Sequence, residues 1–495
     1  MKKYFIFPEE FKLTYFQFHI PISLKETDID KFESILKFIN NNKHIIKAES
    51  IYDKKIGEIL VFDIHHYNCG YKTLFDILFS HDEYTTIMYF SEYEDFVCND
   101  NDNMFYYIID FSNMLDYFDT TRSLLYKGYT SILKFSILNK MKVQLEKGNA
   151  KIILCSGNEC ITNSSLYDWN TFYKIVKLEP ENFVLLTGDA RLGTQTSILT
   201  VYDYFWEINS SFWMRNFGKN NHNSVVTKIK NIQTKKQAKW YGLCLNRITK
   251  PHRTIMAKFF DEHLKDKINY SYGLTECYGS LGEHNDTWSD TNYITRNKLA
   301  LGWSEKINRM YTYDTVEHNI KIDEIKEWIM SHGEKYSEGD ICDMTVNMNY
   351  ILHNESYINS YFNIVTESYV ENKDELTTFL SEKTYKPIMW YQPFIIVGQP
   401  YSIDILRKDG YDVFDNIIDH SYDMVLPLVK RIKLIQQEIT RLCSISKEDW
   451  SEILNDNFSG LHNNFWHLKG SADRMQHKLQ YGLDNPVYKT KPKNV

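Results

Sequence analysis

The feature that most constrains this chain is a series of short apolar runs, each ended by polar residues and set apart by stretches with helical spacing. In the first half they are EILVFDIHH (58–66), TTIMYF (85–90), FYYIID (105–110), KIILCSG (151–157) and NFVLLTGDA (182–190). Runs this short and this apolar suit strands covered on both faces, and strands that alternate with helices make a parallel sheet. Helical spacing lies between them in DIDKFESILKFINN and in SLLYKGYTSILKFSILNKMKVQLEKG. The expected fold class is therefore α/β. In an open α/β sheet the ligand crevice lies beyond the carboxyl ends of the strands. That draws attention to residues ending the runs, among them Asp63, His65, Glu92 and Asp189. Each of these also has a plainer reading, as ordinary loop polarity.

A polar stretch from Gly218 to Gln237 reads as a linker or a long exposed loop. A new unit follows. Trp240–Leu245 reads as a strand, Asn246–Pro251 as a turn, and Ile255, Met256, Phe259, Phe260 and Leu264 as one apolar helix face, with Pro251 suited to the first helical turn. Residues from about 279 to 343 read as an irregular insertion. The α/β pattern returns with the strands YFNIV and PFIIVG and the helix SIDILRKDG, capped by Ser402 and stopped at Gly410. A long helix from Asp423 and the segment after it are expected to cross back to the first unit. The expected domains are 1–230, 237–435 and a helical segment with a basic tail over 436–495.

Composition excludes some classes. The formal net charge of −8 argues against a globally basic nucleic-acid coat, although it leaves room for a local basic groove. The eight cysteines form no C-x-x-C pair and no zinc spacing. Reduced thiols in apolar runs, and an N-terminal apolar run too short for a signal peptide, suggest a cytoplasmic protein. No stretch approaches the roughly 18 apolar residues of a membrane span.

Two stretches carry chemistry. Arg247, His252 and Arg253 lie in the turn and at the start of the 240–264 helix, where free N–H groups and the helix dipole favour an anion. The arginine fork suits phosphate oxygens, and a diphosphate is the natural guest. Solvated surface cations are the plainer reading. In FNIVTESYVENKDELTTFLSEKTYKPIMWYQPFIIVGQP, Glu367 emerges at a strand end, Glu382 and Lys383 start the next helix, and Lys386 follows one turn on. A carboxylate can take two ribose hydroxyls, a lysine can neutralise a phosphate, and Gly398 permits close backbone approach. Charges that merely follow helix-dipole preference would look the same. There is no G-x-x-x-x-G-K-[ST] and no G-x-G-x-x-G.

The segments KWYGLCLNRITKPHR, YFNIVTES, LSEKTYKPI and PFIIVGQPYSIDILRKDGYDVF resemble the C-terminal domain of GT-B glycosyltransferases of phage and bacterial type. They are more distantly similar to the α-1,3-fucosyltransferase family, with Glu367-Ser368 and Glu382-Lys383 matching its two glutamate elements in turn. The resemblance implies two Rossmann-like domains facing across a cleft, and a sugar moved from a nucleotide-sugar co-substrate to an acceptor hydroxyl. It implies that Arg247 and Lys383 contact the donor diphosphate and Glu382 its ribose or sugar. It also implies that protein cations replace a metal, so neither a metal nor another cofactor is expected. The general base would come from the first domain, with Asp63, His65, Glu92 and Asp189 as candidates. Acceptors to weigh are hydroxymethylated bases of phage DNA, a glycan, or a protein. Rivals are a metal at Asp100/Asp102 or Asp28/Asp30, and a non-catalytic carbohydrate- or nucleotide-binding virion or host-interaction protein on the same scaffold.

Overall fold

The structure is a computed structural model. It describes residues 3–7, 16–19, 61–64, 85–89, 103–110, 144–156, 180–189, 199–202, single positions between 206 and 231, 237–246, 250–271, 327, 331, 354–370 and 378–475. The described strands form two parallel sheets and one antiparallel pair. The first sheet uses β1 (Lys3–Phe7), β4 (Thr85–Tyr89), β5 (Met104–Asp110), β6 (Ala150–Ser156), β7 (Phe183–Thr187) and β8 (Leu199–Tyr202), in the order β4-β1-β5-β6-β7-β8. All five pairings are parallel. The second sheet uses β9 (Trp240–Cys244), β10 (Ile268–Tyr270), β11 (Ser360–Thr366) and β12 (Phe394–Val397), in the order β10-β9-β11-β12, again all parallel. The change of sheet falls between Tyr202 and Trp240. The chain is thus a mixed α/β protein with parallel sheets.

The antiparallel pair corrects one expectation. β2 (Phe16–His19) pairs with β3 (Val61–Ile64), and Asp63 lies opposite Gln17. Within the run EILVFDIHH, Val61–Ile64 form a strand, but Asp63 does not end a strand of the six-stranded sheet. An apolar run reveals burial; it does not reveal which neighbour a strand takes or in which direction.

The second sheet is covered by helices whose apolar residues recur at helical spacing. In α1 (Pro251–His263), Ile255, Met256 and Phe260 are buried. α2 (Asn354–Ile358) precedes β11, α3 (Glu382–Met389) follows it, and α4 (Ser402–Lys408) follows β12. In α5 (Leu428–Leu442), Val429, Ile432, Ile435, Ile439 and Leu442 form the buried face. α5 starts at Leu428 rather than at Asp423: Pro427 cannot continue a helix from its own N-terminal side, and Ser421–Met424 form a 3₁₀ turn instead. The cap of α4 is also not Ser402. Tyr401 takes the N-cap with φ 68°, and the Asp423 carboxylate accepts from the N–H groups of Ile403 and Asp404, both at 3.0 Å. Burial pushes that carboxyl up to about 6 against the pull of those N–H groups.

α6 (Lys447–Asp456) plugs the start of the sheet. Its Trp450 is fully buried, stacks on Phe362 and Tyr361 at 5.5 and 5.9 Å, and donates its indole N–H to Leu442 O. α7 (Phe458–Lys469) packs on the end of α3, where Tyr391 stacks with Phe465 at 5.1 Å and Phe458 at 5.6 Å. The segment after α7 reaches residues that follow β8. Ser211 donates to Lys469 O, Ser471 donates to Glu207 O, and the buried Glu207 carboxylate accepts from Tyr411 and Arg474 at 2.7 and 2.8 Å.

Candidate functional site

Strand order locates the site. From β9 the chain goes to β10 on one side and then to β11 on the other, so the order reverses between β9 and β11. A reversal leaves a crevice at the carboxyl ends of the two strands, because their following connections leave toward opposite faces. The residues at this reversal are Cys244–Asn246 from β9 and Thr366–Ser368 from β11.

Buried polar bonds lock the floor of the crevice. Asn246 accepts from the Thr366 hydroxyl and donates to the Cys244 sulfur, and its own N–H bonds Ser271 Oγ at 2.8 Å. Burial pushes the Cys244 thiol up to about 12, so it stays a protonated filler and not a nucleophile.

Above that floor, the carbonyls leaving β11 collect nitrogen donors. Arg253 donates to Thr366 O at 3.1 Å and Glu367 O at 3.4 Å, His252 Nε2 lies 2.8 Å from Glu367 O, and Lys250 Nζ lies 2.8 Å from Ser368 O. All three come from the start of α1, where Lys250 is the N-cap residue and offers no side-chain cap. Farther along, Arg431 of α5 donates to Val370 O and to the carbonyls of Val425 and Leu426. Arg431 is 2 % exposed and Arg253 3 %. Burial lowers the Arg431 pKa to about 10, with Asp423 opposing the shift. Since a carbonyl can only accept, His252 carries its proton on Nε2. Burial first, then the charges of Arg253 and Lys250, hold its pKa well below the usual histidine value, so the ring stays neutral and Nδ1 keeps its lone pair.

From the other side comes the first turn of α3. Lys383 Nζ lies 2.7 Å from Glu382 Oε1, 3.2 Å from Ser381 Oγ and 3.4 Å from Ser368 Oγ. Lys250 and Lys383 therefore reach the same residue, Ser368, from two helix starts. Lys386 is partly exposed in the last turn of α3. At Gly398 a Cβ would sit 2.9 Å from Ile396 Cγ2 and 3.5 Å from Glu367 Cβ, so the absence of a side chain there serves packing within the domain.

Two expected site residues have other partners. Glu367 is fully buried, and its carboxylate is taken by Ser368 N, Ser381 N, Ser381 Oγ and Thr384 Oγ1. Its contribution to the crevice is its carbonyl. Asp189 is 1 % exposed, accepts from Thr378 N at 3.0 Å and forms a bridge with Phe379. In this arrangement it joins the end of β7 to the strap that leads into α3, and its carboxylate is turned to that strap instead of to a crevice. Neither engagement is legible in sequence, because apart from the adjacent Ser368 N the partners lie 14–17 residues from Glu367 and 189 from Asp189. His65, Glu92, Arg247, Asp28, Asp30, Asp100 and Asp102 lie outside the described residues.

Lys250 and Arg431 were missed, one because it precedes the helix and the other because only packing brings α5 to β11. The first sheet reverses between β1 and β5, and Asp110 ends β5 with Cys155 as its register partner.

A separate cavity of about 530 Å³ lies beside α4, lined by Arg407, Asp415, Asp419, Asp423, Met424 and Arg441, among others. Its charges are satisfied from within: Arg407 pairs with Asp415, Arg441 with Glu438, and Asp423 with the start of α4. It offers a ligand little. Among the described residues, no group of three or more His, Cys, Asp or Glu side chains is placed to hold a metal ion, and no helix is long and apolar enough to cross a membrane. The chain matches no protein-family model, no curated protein and no solved structure.

Proposed function

We propose that this protein is a nucleotide-sugar-dependent glycosyltransferase of GT-B type, with the donor held in the crevice of the second sheet. The observation that carries this reading is the convergence of Lys250, His252, Arg253 and Lys383 on residues 366–368 at the reversal of strand order. Two helix starts and their cations at one crevice make a site for two adjacent phosphates. Cationic groups fixed before the reaction stabilise the charge that builds on a leaving diphosphate and need no reorganisation.

In this reading, Lys383 exchanges its contact with Glu382 for a phosphate oxygen. That frees the Glu382 carboxylate to accept from a sugar or ribose hydroxyl. Neutral His252 offers Nδ1 as an acceptor from the donor. The acceptor docks on the first sheet, and the bridge from Asp189 to Phe379 brings the carboxyl end of β7 to the segment leading into α3. A base on the first sheet takes the hydroxyl proton, with Glu92, which follows β4 in sequence, and Asp110, at that sheet's own reversal, as candidates.

The test is thermal-shift screening with UDP-, GDP-, CMP- and dTDP-linked sugars, followed by transfer assays with the donor found. A ligand at 100 times its dissociation constant stabilises the fold by about 2.7 kcal/mol. Stabilisation with no transfer to DNA, glycan or protein acceptors would favour a non-catalytic binding protein. No stabilisation by any nucleotide would overturn the reading.

A further inference from the structure

The geometry points to Glu367 as a positioning residue that sets the Lys383 ammonium in the crevice and does not touch the ligand itself. The functional half of this inference rests on the anion-site reading above; the structural half does not.

The argument follows one hydroxyl. Ser381 has a single O–H proton and two lone pairs. The proton goes to Glu367 Oε2. The lone pairs then face Lys383, whose backbone N lies at 3.4 Å and whose Nζ lies at 3.2 Å. Glu367 Oε1 meanwhile takes Ser381 N at 3.0 Å and Thr384 Oγ1 at 2.6 Å, one residue on either side of Glu382 and Lys383. Oε2 also takes Ser368 N at 3.2 Å, and Ser368 Oγ is another oxygen near Lys383 Nζ, at 3.4 Å. The carboxylate therefore fixes the first turn of α3, orients the Ser381 dipole and holds Ser368, which together shape the cradle of the ammonium. The carbonyl of the same residue fixes His252 and Arg253 of α1. One buried side chain and its own peptide set the distance between the two helix starts.

A glutamine at 367 keeps the shape and breaks the logic. With its NH₂ at the Oε2 position it faces Ser368 N–H and reverses the Ser381 hydroxyl, turning that proton toward Lys383. With its NH₂ at the Oε1 position it faces Ser381 N–H. Either way a donor meets a donor.

The experiment compares Glu367→Gln, Ser381→Ala, Lys383→Ala and the Glu367→Gln/Lys383→Ala double variant in the full chain, by hydrogen exchange and by calorimetric titration with inorganic pyrophosphate. Ser381→Ala removes the hydroxyl relay while leaving the carboxylate, which covers the case where Glu367→Gln folds poorly. Exchange in the peptide over 378–389 is expected to quicken about tenfold in Glu367→Gln, the effect of one lost charged hydrogen bond, while α5 and α6 keep their protection. Pyrophosphate affinity is expected to fall in Glu367→Gln and in Ser381→Ala, and Glu367→Gln is expected to add nothing once Lys383 is alanine. Unchanged exchange over 378–389, or loss of protection spread equally through α5 and α6, would overturn the inference. Full additivity with Lys383→Ala would do the same, since Glu367 would then act independently of the ammonium. If the wild-type chain takes up no pyrophosphate, the anion site falls, while exchange still decides whether Glu367 tethers α3.

Discussion

Replacing Lys383 by alanine tests the site through stability before any substrate is known. A solvent-reachable lysine at a helix start contributes little to stability, so by position alone its loss should leave the fold untouched. The structure changes that expectation. The Lys383 side chain is 26 % exposed, but its partner Glu382 is only 7 % exposed, at 2.7 Å. Removing the ammonium leaves a carboxylate almost out of water without its nearest cation. A hydrogen bond to a charged group is worth roughly 1.5–3 kcal/mol, and the partial exposure of the lysine discounts it, so Lys383→Ala should destabilise by about 1–2 kcal/mol. The second half of the test is Glu382→Gln. An amide needs no cation, so Glu382→Gln/Lys383→Ala should recover most of the loss, with a coupling energy near 1 kcal/mol in the double-mutant cycle. Urea denaturation of the four proteins measures this directly, provided the slopes agree. A coupling energy within about 0.3 kcal/mol of zero would refute the reasoning, because the two side chains would then be meeting solvent and not each other.

Acidification should weaken the fold below about pH 6.5. Burial holds the folded pKa values of His252 and His420 below the ordinary 6.5, so the unfolded chain takes up protons that the folded chain refuses. Each histidine then subtracts up to about 1.4 kcal/mol per pH unit. Asp423, raised to about 6, works with the opposite sign between its unfolded value of 3.8 and that pH. Melting temperatures from pH 7.5 to 6.0 should therefore fall, and His252→Gln should flatten the fall by one histidine's share. Gly398→Ala should cost about 1–3 kcal/mol in urea midpoint analysis, because its Cβ would meet Ile396 Cγ2 at 2.9 Å and Ser402 Oγ at 3.2 Å. Tyr411→Phe removes a donor to buried Glu207 and should cost about 1–2 kcal/mol by the same measurement, with Arg474 still bound to that carboxylate.

What could be read from the chain was local. β9, the proline-started α1, β11, β12 and the start of α3 at Glu382 all follow from residues within a few positions of one another, whereas the Ser381 cap of α3 was not read and the Ser402 cap read for α4 is Tyr401 instead. The cations at helix starts, Arg253 and Lys383, were legible for the same reason. β1, taken only as too short to be a signal peptide, is an interior strand flanked by β4 and β5. β8 carried too little contrast with its flanks to stand out. The roles of Glu367 and Asp189 were hidden for a physical reason. A carboxylate at a strand end looks the same in sequence whether its partner is a ribose or a serine contributed by the next helix. Only packing decides, and here packing gives Glu367 to Ser381 and Thr384, and Asp189 to Thr378.

The contacts that join the first sheet's residues to the end of the chain also impose an order on biosynthesis. Glu207 is among the residues made early, yet its partner Arg474 is 267 residues later. At ribosomal rates of about 5–20 residues per second, that partner is made roughly 13–53 s after Glu207. Through that interval the nascent chain holds a carboxylate shaped for burial without its cation, and even its neutral donor Tyr411 is 204 residues later. Asp189 waits in the same way for Thr378, 189 residues on. The first half of the protein can therefore assemble its sheet while it is being made, but it cannot seal itself. A polypeptide stopped short of α7 already holds Thr378 for Asp189 but lacks Arg474 for Glu207, and presents that one acid without its cation.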